Sequence, residues 1–340
     1  MDSLTQIVLG AACGEAVLGK KIGNKALLFG ALGGTIPDLD VFIGNLLYGN
    51  KIDAMLFHRG FMHSILFSVL GAFLCGWLVF KLYNFGKRIK TTTQKEWILL
   101  FFWSLFTHPI LDCFTPYGTQ LFAPFSNYRV AFNSIAVVDP LYTLPFLIGM
   151  LVLMFFKRSS QKRSRWLRMA ISISSVYLLF TLINKVYIDS VFEKSLAENN
   201  IVYTRYSTQP TLLNNILWYG IAETETEYQM AFYSLLDAKP RFSEWQKISK
   251  TRALSKTGFR DIKRLAWFSK QYYSVERASD NEYLYNDLRY PLMKTKKGYE
   301  TVFSLQLYIE KNRLNMRDFK PKVEDFGTAM FALWKRLTGV

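Results

Sequence analysis

The sequence predicts a mainly α protein: a polytopic transmembrane helical bundle over residues 1–188, followed by a soluble α+β domain over residues 189–340. Three observations lead there. Half of the 340 residues are hydrophobic and 28 are Phe, at the upper edge of what soluble chains use. Apolar runs in the first half reach the roughly 20 residues that a bilayer crossing needs. Charged residues become frequent only after about residue 190.

The crossings follow in order. Leu4–Gly19 is apolar but short, and Ala26–Leu47 is interrupted by the PDLD run at Pro37–Asp40. Four stronger segments come next: Phe61–Phe80, Trp97–Thr115, Val137–Phe156 and Met169–Ile188, the last apolar except for Lys185. A cleavable signal peptide carries its positive charge before the apolar stretch. Here Lys20, Lys21 and Lys25 come after it, so the chain is expected to keep its first residues. Cys13, Cys75 and Cys113 lie in apolar segments without ligand-like spacing and read as small core residues rather than disulfide partners.

The formal charge is +16, which alone would suit nucleic acid. The basic residues of the first half are instead grouped in short loops, at Lys20–Lys25, Lys81–Lys95 and Arg158–Arg168. Such loops mark the cytoplasmic side of a membrane protein, so no nucleic-acid partner is expected. Six crossings put all three loops inside. The N-terminus, residues 48–60, residues 116–136 and everything after about residue 189 then face outward.

All three histidines of the chain fall in this first half, beside aspartates: His58 and His63 in HRGFMHS, and His108 in THPILD with Asp112. Asp38 and Asp40 stand upstream in PDLD. Histidine and carboxylate are the usual ligands of a hydrolytic divalent metal. The topology, built only from Lys and Arg, brings all six to the outer side. An aspartate within a span costs about 2.5–3.5 kcal/mol on insertion scales and faces a bundle interior or a wet cavity. His108 and Asp112 share one helical face if the helix runs on past Pro109; a hydrogen-bonded His–Asp pair is the alternative. Gly60 would permit a sharp entry to the segment that carries His63, and Ser64 would bond a ligand or cap the helix. Arg59 would hold an anionic substrate oxygen or anchor at lipid headgroups. In PDLD the acids would chelate, with Gly33 and Gly34 as irregular backbone lining a cavity, or Asp would cap a second helix. Asp2 and Asp139 read as helix caps or outer supports of the ligands. Tyr128 and Arg129 would bind substrate or anchor at the interface. Asp38, Asp40, His58, His63, His108 and Asp112 are thus six candidate ligands for one or two divalent ions, with Asp40 a candidate general base and Arg59 a candidate catalytic cation.

The pieces MDSLTQ, GGTIPDLD, HRGFMHS, THPILDCFTPYGTQLFAPFS and VVDPLYTLPFLIG, in order over about residues 1–150, resemble the membrane-bound metal-dependent hydrolases of bacteria, the YdjM-like inner-membrane hydrolases. The resemblance implies a multi-pass protein of the bacterial inner membrane, a divalent metal, zinc by its donors, and a hydrolytic activity of undefined substrate. Members commonly carry histidine where Gln6 stands and threonine where Met62 stands. A more distant similarity to zinc phospholipase C points to phosphoesters. The expected partners are the bilayer and a small-molecule or lipid substrate. A non-catalytic metal-binding transporter or regulatory protein is the alternative; polar groups clustered at one end only favour an enzyme.

In the C-terminal part, IVYTRY, YQMAFYSLL and ETVFSLQLYIE alternate as strands do, and FRDIKRLAWFSKQYYSV and EDFGTAMFALWKRL have helical periodicity. It contains no histidine and no catalytic constellation. Its aromatic and basic content would cover the site or lie on an anionic membrane surface.

Overall fold

A computed structural model describes residues 1–254, 258–295, 298–317 and 326–339 of the chain. They form two compact units: Met1–Ile43, Phe57–Ile183 and Leu212–Asn214 in the first, and Gly44–Leu56, Asn184–Thr211 and Asn215–Val340 in the second. The segment Gly44–Leu56, which lies within the expected membrane domain, thus groups with the second unit.

The first unit is helical. Helix α1 (Ser3–Ile22) is N-capped by Asp2, whose carboxylate accepts from the Thr5 amide. Helix α2 (Asn24–Thr35) packs against it backbone to backbone. A Cβ on Gly10 would stand 2.4 Å from the Gly30 carbonyl oxygen, and one on Gly34 would stand 2.5 Å from that of Gln6. This is the close approach that small residues four apart allow between apolar helices. Gly33 and Gly34 are therefore helical contact positions, not irregular backbone. The chain then bends by 42° through the turn Pro37–Leu39 into α3 (Asp40–Leu47). After α4 (Lys51–Phe57), a short turn at Phe61–His63 leads to α5 (Ile65–Tyr83), whose N-cap Ser64 accepts from the Phe67 amide. The left-handed residue at this entry is Arg59, with φ 58°; Gly60 has φ −91°. Gly60 is needed instead because a Cβ there would press to 2.8 Å from the Phe57 carbonyl oxygen.

Helix α6 (Gln94–Asp112) begins in a capping box between Thr93 and Glu96. It continues through Pro109 to Asp112. Proline cannot donate to the carbonyl four residues back; the Ser68 hydroxyl stands 3.2 Å from that Leu105 oxygen and 3.0 Å from the Ser64 carbonyl oxygen, and shares its proton between the two. Helix α7 (Pro140–Leu153) opens at Asp139, which accepts from the Leu141 and Tyr142 amides. Helix α8 (Gln161–Glu198) runs 38 residues without a break.

Helices α5 and α8 are long and apolar enough to cross a bilayer, and the bent pair α2–α3 is a third candidate if it forms one span. The other expected crossings are less clear-cut. Helix α7 has only 14 residues, and α1 and α6 carry charges such as Glu15, Lys20, Lys95 and Glu96 within their length.

The second unit is built on antiparallel sheets. Strands β1 (Arg205–Pro210), β2 (Leu217–Glu223), β3 (Glu227–Ser234) and β4 (Ser243–Ser249) form a meander in that order. Strands β5 (Tyr273–Arg277), β6 (Glu282–Asp287), β9 (Ser304–Glu310) and β10 (Arg313–Met316) form a second sheet, ordered β10-β9-β6-β5. Strands β7 (Leu292–Thr295) and β8 (Gly298–Thr301) form a hairpin. One face of the meander, Trp218, Ala222, Ala231 and Tyr233, packs on Ile188, Val191, Phe192 and Leu196 from the end of α8. The opposite face buries Tyr219, Ile221, Tyr228 and Met230. The period-2 pattern of a strand sends alternate residues to these two cores.

Helix α9 (Arg260–Phe268) stops sooner than its apolar pattern suggests, because Lys270 and Gln271 are left-handed and the chain turns into β5. Similarly, IVYTRY becomes strand only from Arg205. Helix α10 (Phe326–Leu337) matches the last helical pattern; the first residues of that pattern, Glu324 and Asp325, lie outside the described residues.

Candidate metal centre

Five short stretches of the first unit carry the candidate ligands. The turn after α2 carries Asp38, and the first residue of α3 is Asp40. His58 follows α4, and His63 closes the turn before α5. The last turn of α6 presents His108 and Asp112 from one face.

The three imidazoles converge. The His63 and His108 ring centroids are 4.8 Å apart, and those of His58 and His63 are 5.4 Å apart. The Nε2 atoms of His63 and His108 approach to 3.1 Å. Asp38 Oδ1 lies 3.3 Å from the first and 3.4 Å from the second. Asp112 Oδ2 lies 3.6 and 3.7 Å from the same two nitrogens. A tetrahedral ion bound at about 2.0–2.2 Å holds its ligand atoms about 3.3–3.6 Å apart; the two Asp38 separations fall in that range, the Nε2–Nε2 approach is slightly shorter, and Asp38, His63 and His108 form one possible ligand group.

The surroundings fit as well. His108 Nδ1 is 2.7 Å from the Gly34 carbonyl oxygen, which can only accept. The proton therefore sits on Nδ1, and the Nε2 lone pair faces the shared space. Asp112 Oδ1 accepts from the Met1 amine and from Gln6 Nε2, the latter at 3.0 Å. Asp112 Oδ2 is buried with no hydrogen-bond donor among the described residues. The Arg59 Nε stands 3.1 Å from it without a hydrogen bond, so the oxygen has a nearby charge but no aligned donor, and a cation between it and the two Nε2 atoms would add to that compensation. Gln6 is buried and also reaches the His108 carbonyl. Gln6, where the resemblance led to an expectation of histidine, thus supports Asp112 and His108.

Asp40 occupies a different place from the one expected of a general base. It is fully buried. Its Oδ1 is 2.7 Å from His58 Nδ1, and its Oδ2 accepts from the Arg59 amide at 2.9 Å. The same Oδ2 lies 3.0 Å from His63 Nδ1, off the line of a proper hydrogen bond. Asp40 thus sits behind His63 and His58 and orients them. Asp40, His58 and His63 also form a second possible ligand group, which shares His63 with the first. His58 is the most open imidazole, its side chain 22% exposed. Burial lowers its pKa, outweighing the opposing pull of Asp40.

Arg59 is buried inside the cluster. Its Nε lies 3.1 Å from Asp112 Oδ2, and its Nη1 donates to Thr115 Oγ1 at 2.9 Å. Its guanidinium faces the Tyr117 ring at 4.7 Å, and that of Arg129 faces the same ring at 5.3 Å. Arg129 also donates to the His58 carbonyl at 2.6 Å, whereas Tyr128 is exposed. Asp139 stands apart as a helix cap that accepts from the Tyr177 hydroxyl. Sequence reasoning did not single out Tyr117, Thr115, Ser68 or the Gly34 carbonyl. The first two lie inside the THPILDCFTPYGTQ motif, where spacing from Asp112 was a usable signal.

These features define a helical membrane protein with a buried His–Asp cluster built from separate helices. The chain belongs to the YdjM inner membrane protein family, which matches residues 1–188. It is similar to the uncharacterized protein YfhP of Bacillus subtilis (strain 168), 29% identical over 153 residues. That alignment covers 41% of this chain and 42% of the relative, so the chain spans less than half of the relative's length. No solved structure matches the chain.

Proposed function

We propose that the chain is a multi-pass, metal-dependent hydrolase of the bacterial inner membrane that acts on a phosphoester or lipid-linked substrate. The observation that supports this reading is the meeting of His63 Nε2, His108 Nε2 and Asp38 Oδ1 at separations of 3.1, 3.3 and 3.4 Å, close enough to share one ion. Asp38, His63 and His108 would hold a divalent cation, zinc by the mix of imidazole and carboxylate. Such a cation supplies Lewis acidity and a water of pKa about 7 when bound.

The residues divide the remaining work. Asp112 Oδ2, without a donor of its own, is placed to take a proton beside the two Nε2 atoms. Arg59, 3.1 Å from that oxygen, offers positive charge for an anionic group. Asp40 fixes the rings of His58 and His63. The side chains of Asp38 and His58 are 26% and 22% exposed while those of His63, His108 and Asp112 are buried. A substrate therefore reaches the cluster past Asp38 and His58. If the chain crosses six times with the basic loops inside, this cluster and the chain after residue 189 would face outward, and a site among apolar helices suits a lipid-borne substrate.

The test is metal analysis of the detergent-purified chain, with hydrolysis assayed against phosphoesters and lipid phosphoesters. His108→Ala is expected to lose both bound metal and hydrolysis while keeping its helical content. Full metal retention in that variant overturns the proposal. Metal flux into liposomes, with no hydrolysis, would instead support the transporter alternative.

A further inference from the structure

At the opposite end of the first unit from the His–Asp cluster, a cavity of about 560 Å³ opens beside the C-terminal turn of α1 and the first turns of α8. Lys20, Arg158, Arg165 and Arg168 line it, with Ser159, Ser160, Gln161 and Ser164. We propose that this cavity binds a phosphate group, carried by an anionic phospholipid or by a soluble phosphate compound.

The argument begins with charge. Four cationic side chains surround one space, and no carboxylate lines it. The acids nearby are committed elsewhere. Glu15 pairs with the buried Arg163 through two hydrogen bonds, at 2.6 and 2.7 Å, and Glu96 pairs with Lys21 at 2.7 Å. The sequence could have balanced the charge with an acid at 159, 160, 161 or 164, but it places hydroxyls and an amide there. Like charges held around a common space repel one another; an anion with several acceptor oxygens removes the repulsion and satisfies many donors at once.

The shape agrees. The volume falls within the roughly 300–1,000 Å³ of small-molecule sites. Arg158 is held by donation to the Lys21 carbonyl oxygen at 2.6 Å, which fixes one wall. The Arg168 Nε is 3.4 Å from the Ser164 carbonyl oxygen, which leaves the rest of its guanidinium fork for a ligand. The N-terminal turn of α8 contributes Gln161 and Ser164 to the lining, and the positive end of the helix dipole lies at that turn. In the six-crossing topology this end lies in the cytoplasm, where basic pockets between membrane helices take anionic headgroups. The inference does not depend on the His–Asp cluster, which lies at the other end of α1.

The experiment uses the full chain in neutral detergent and in nanodiscs. Thermal stability is followed in phosphatidylcholine, in phosphatidylcholine with phosphatidylglycerol, and in detergent titrated with inorganic phosphate. Native mass spectrometry reads retained lipid. The expected result is stabilisation by phosphatidylglycerol or by phosphate. Arg165→Ala/Arg168→Ala should weaken the apparent affinity about tenfold or more. Lys162→Ala, outside the lining, should respond as the unaltered chain does, and Arg165→Gln provides a milder variant should the double one fold poorly. Stabilisation by the lipid alone assigns a headgroup; an equal effect of inorganic phosphate assigns a soluble ligand. No shift with either, or an unchanged response in both cavity variants, overturns the proposal.

Discussion

The Ser68 hydroxyl lies 3.2 Å from the Leu105 carbonyl oxygen and 3.0 Å from that of Ser64, so its one proton is shared between its own helix and the acceptor that Pro109 cannot reach in the last turns of α6. This contact lets the helix run through a proline and still deliver His108 and Asp112 from one face. Ser68→Ala is expected to destabilise the chain by about 1–3 kcal/mol, the cost of a buried unsatisfied carbonyl. In a Pro109→Ala background, where the amide returns, the same change should cost clearly less. A double-mutant cycle in thermal unfolding checks this; additive effects would show the two residues to be independent.

The glycine contact between α1 and α2 sets the position of the Gly34 carbonyl. Gly30→Ala would put a methyl 2.2 Å from the Gly10 carbonyl oxygen. The expected outcome is a loss of about 1–3 kcal/mol from overpacking, together with weaker metal binding as Gly34 moves from His108. Unfolding temperature and metal content of the purified variant measure the two effects. Unchanged metal binding in a destabilised variant would separate the helix contact from the cluster.

Asp40 touches both His58 and His63 but stands behind them. Asp40→Asn is expected to lower metal affinity 10- to 100-fold, as loss of an orienting carboxylate does, without abolishing binding. Competition with a chromogenic chelator gives the number. A complete loss would instead make Asp40 a direct ligand.

In the second unit, Glu223 lies 2.5 Å from Arg205 Nε and 2.9 Å from Lys250 Nζ. Burial alone would raise its pKa, but Lys250 and Arg205 outweigh burial and hold it below the usual carboxylate range. The ionised form is therefore favoured by folding. Its contribution is full above the unfolded value of about 4.3, and it fades as pH falls through the lowered folded value. Denaturant unfolding at neutral and acidic pH should show Glu223→Gln less stable at neutral pH, with the gap closing in acid. A gap that stays constant with pH would remove the ion pairs from the account.

Much of this arrangement was legible in the sequence. His58, His63, His108, Asp38, Asp40 and Asp112 were identifiable as a group because imidazoles and acids stand in otherwise apolar segments, where solubility gives no reason for them. The roles within the group were not legible. Which carboxylate faces the rings and which stands behind them depends on the bend at Pro37 and on the left-handed residue Arg59, and the glycine beside it drew the expectation to the wrong position. The alternation of β3 was readable at its start, where Glu227 and Gln229 are half-exposed between the buried Tyr228 and Met230, while its later residues are buried without a break. The start of β1 and the end of α9 were not, since they follow from strand pairing and two left-handed residues that local periodicity does not encode. The full length of α8, Gln161–Glu198, was hidden by the change in composition near residue 189.

The ring of His108 is steered by a main-chain oxygen, that of Gly34. No exchange of side chains can delete that acceptor, so this tautomer is insured against most point mutations. The vulnerability is transferred to the spacing of two helices, where a single added methyl does what no loss of a polar group could. Drift in this lineage is therefore expected to be freer among the polar neighbours of the cluster than among the glycines that hold its scaffold together.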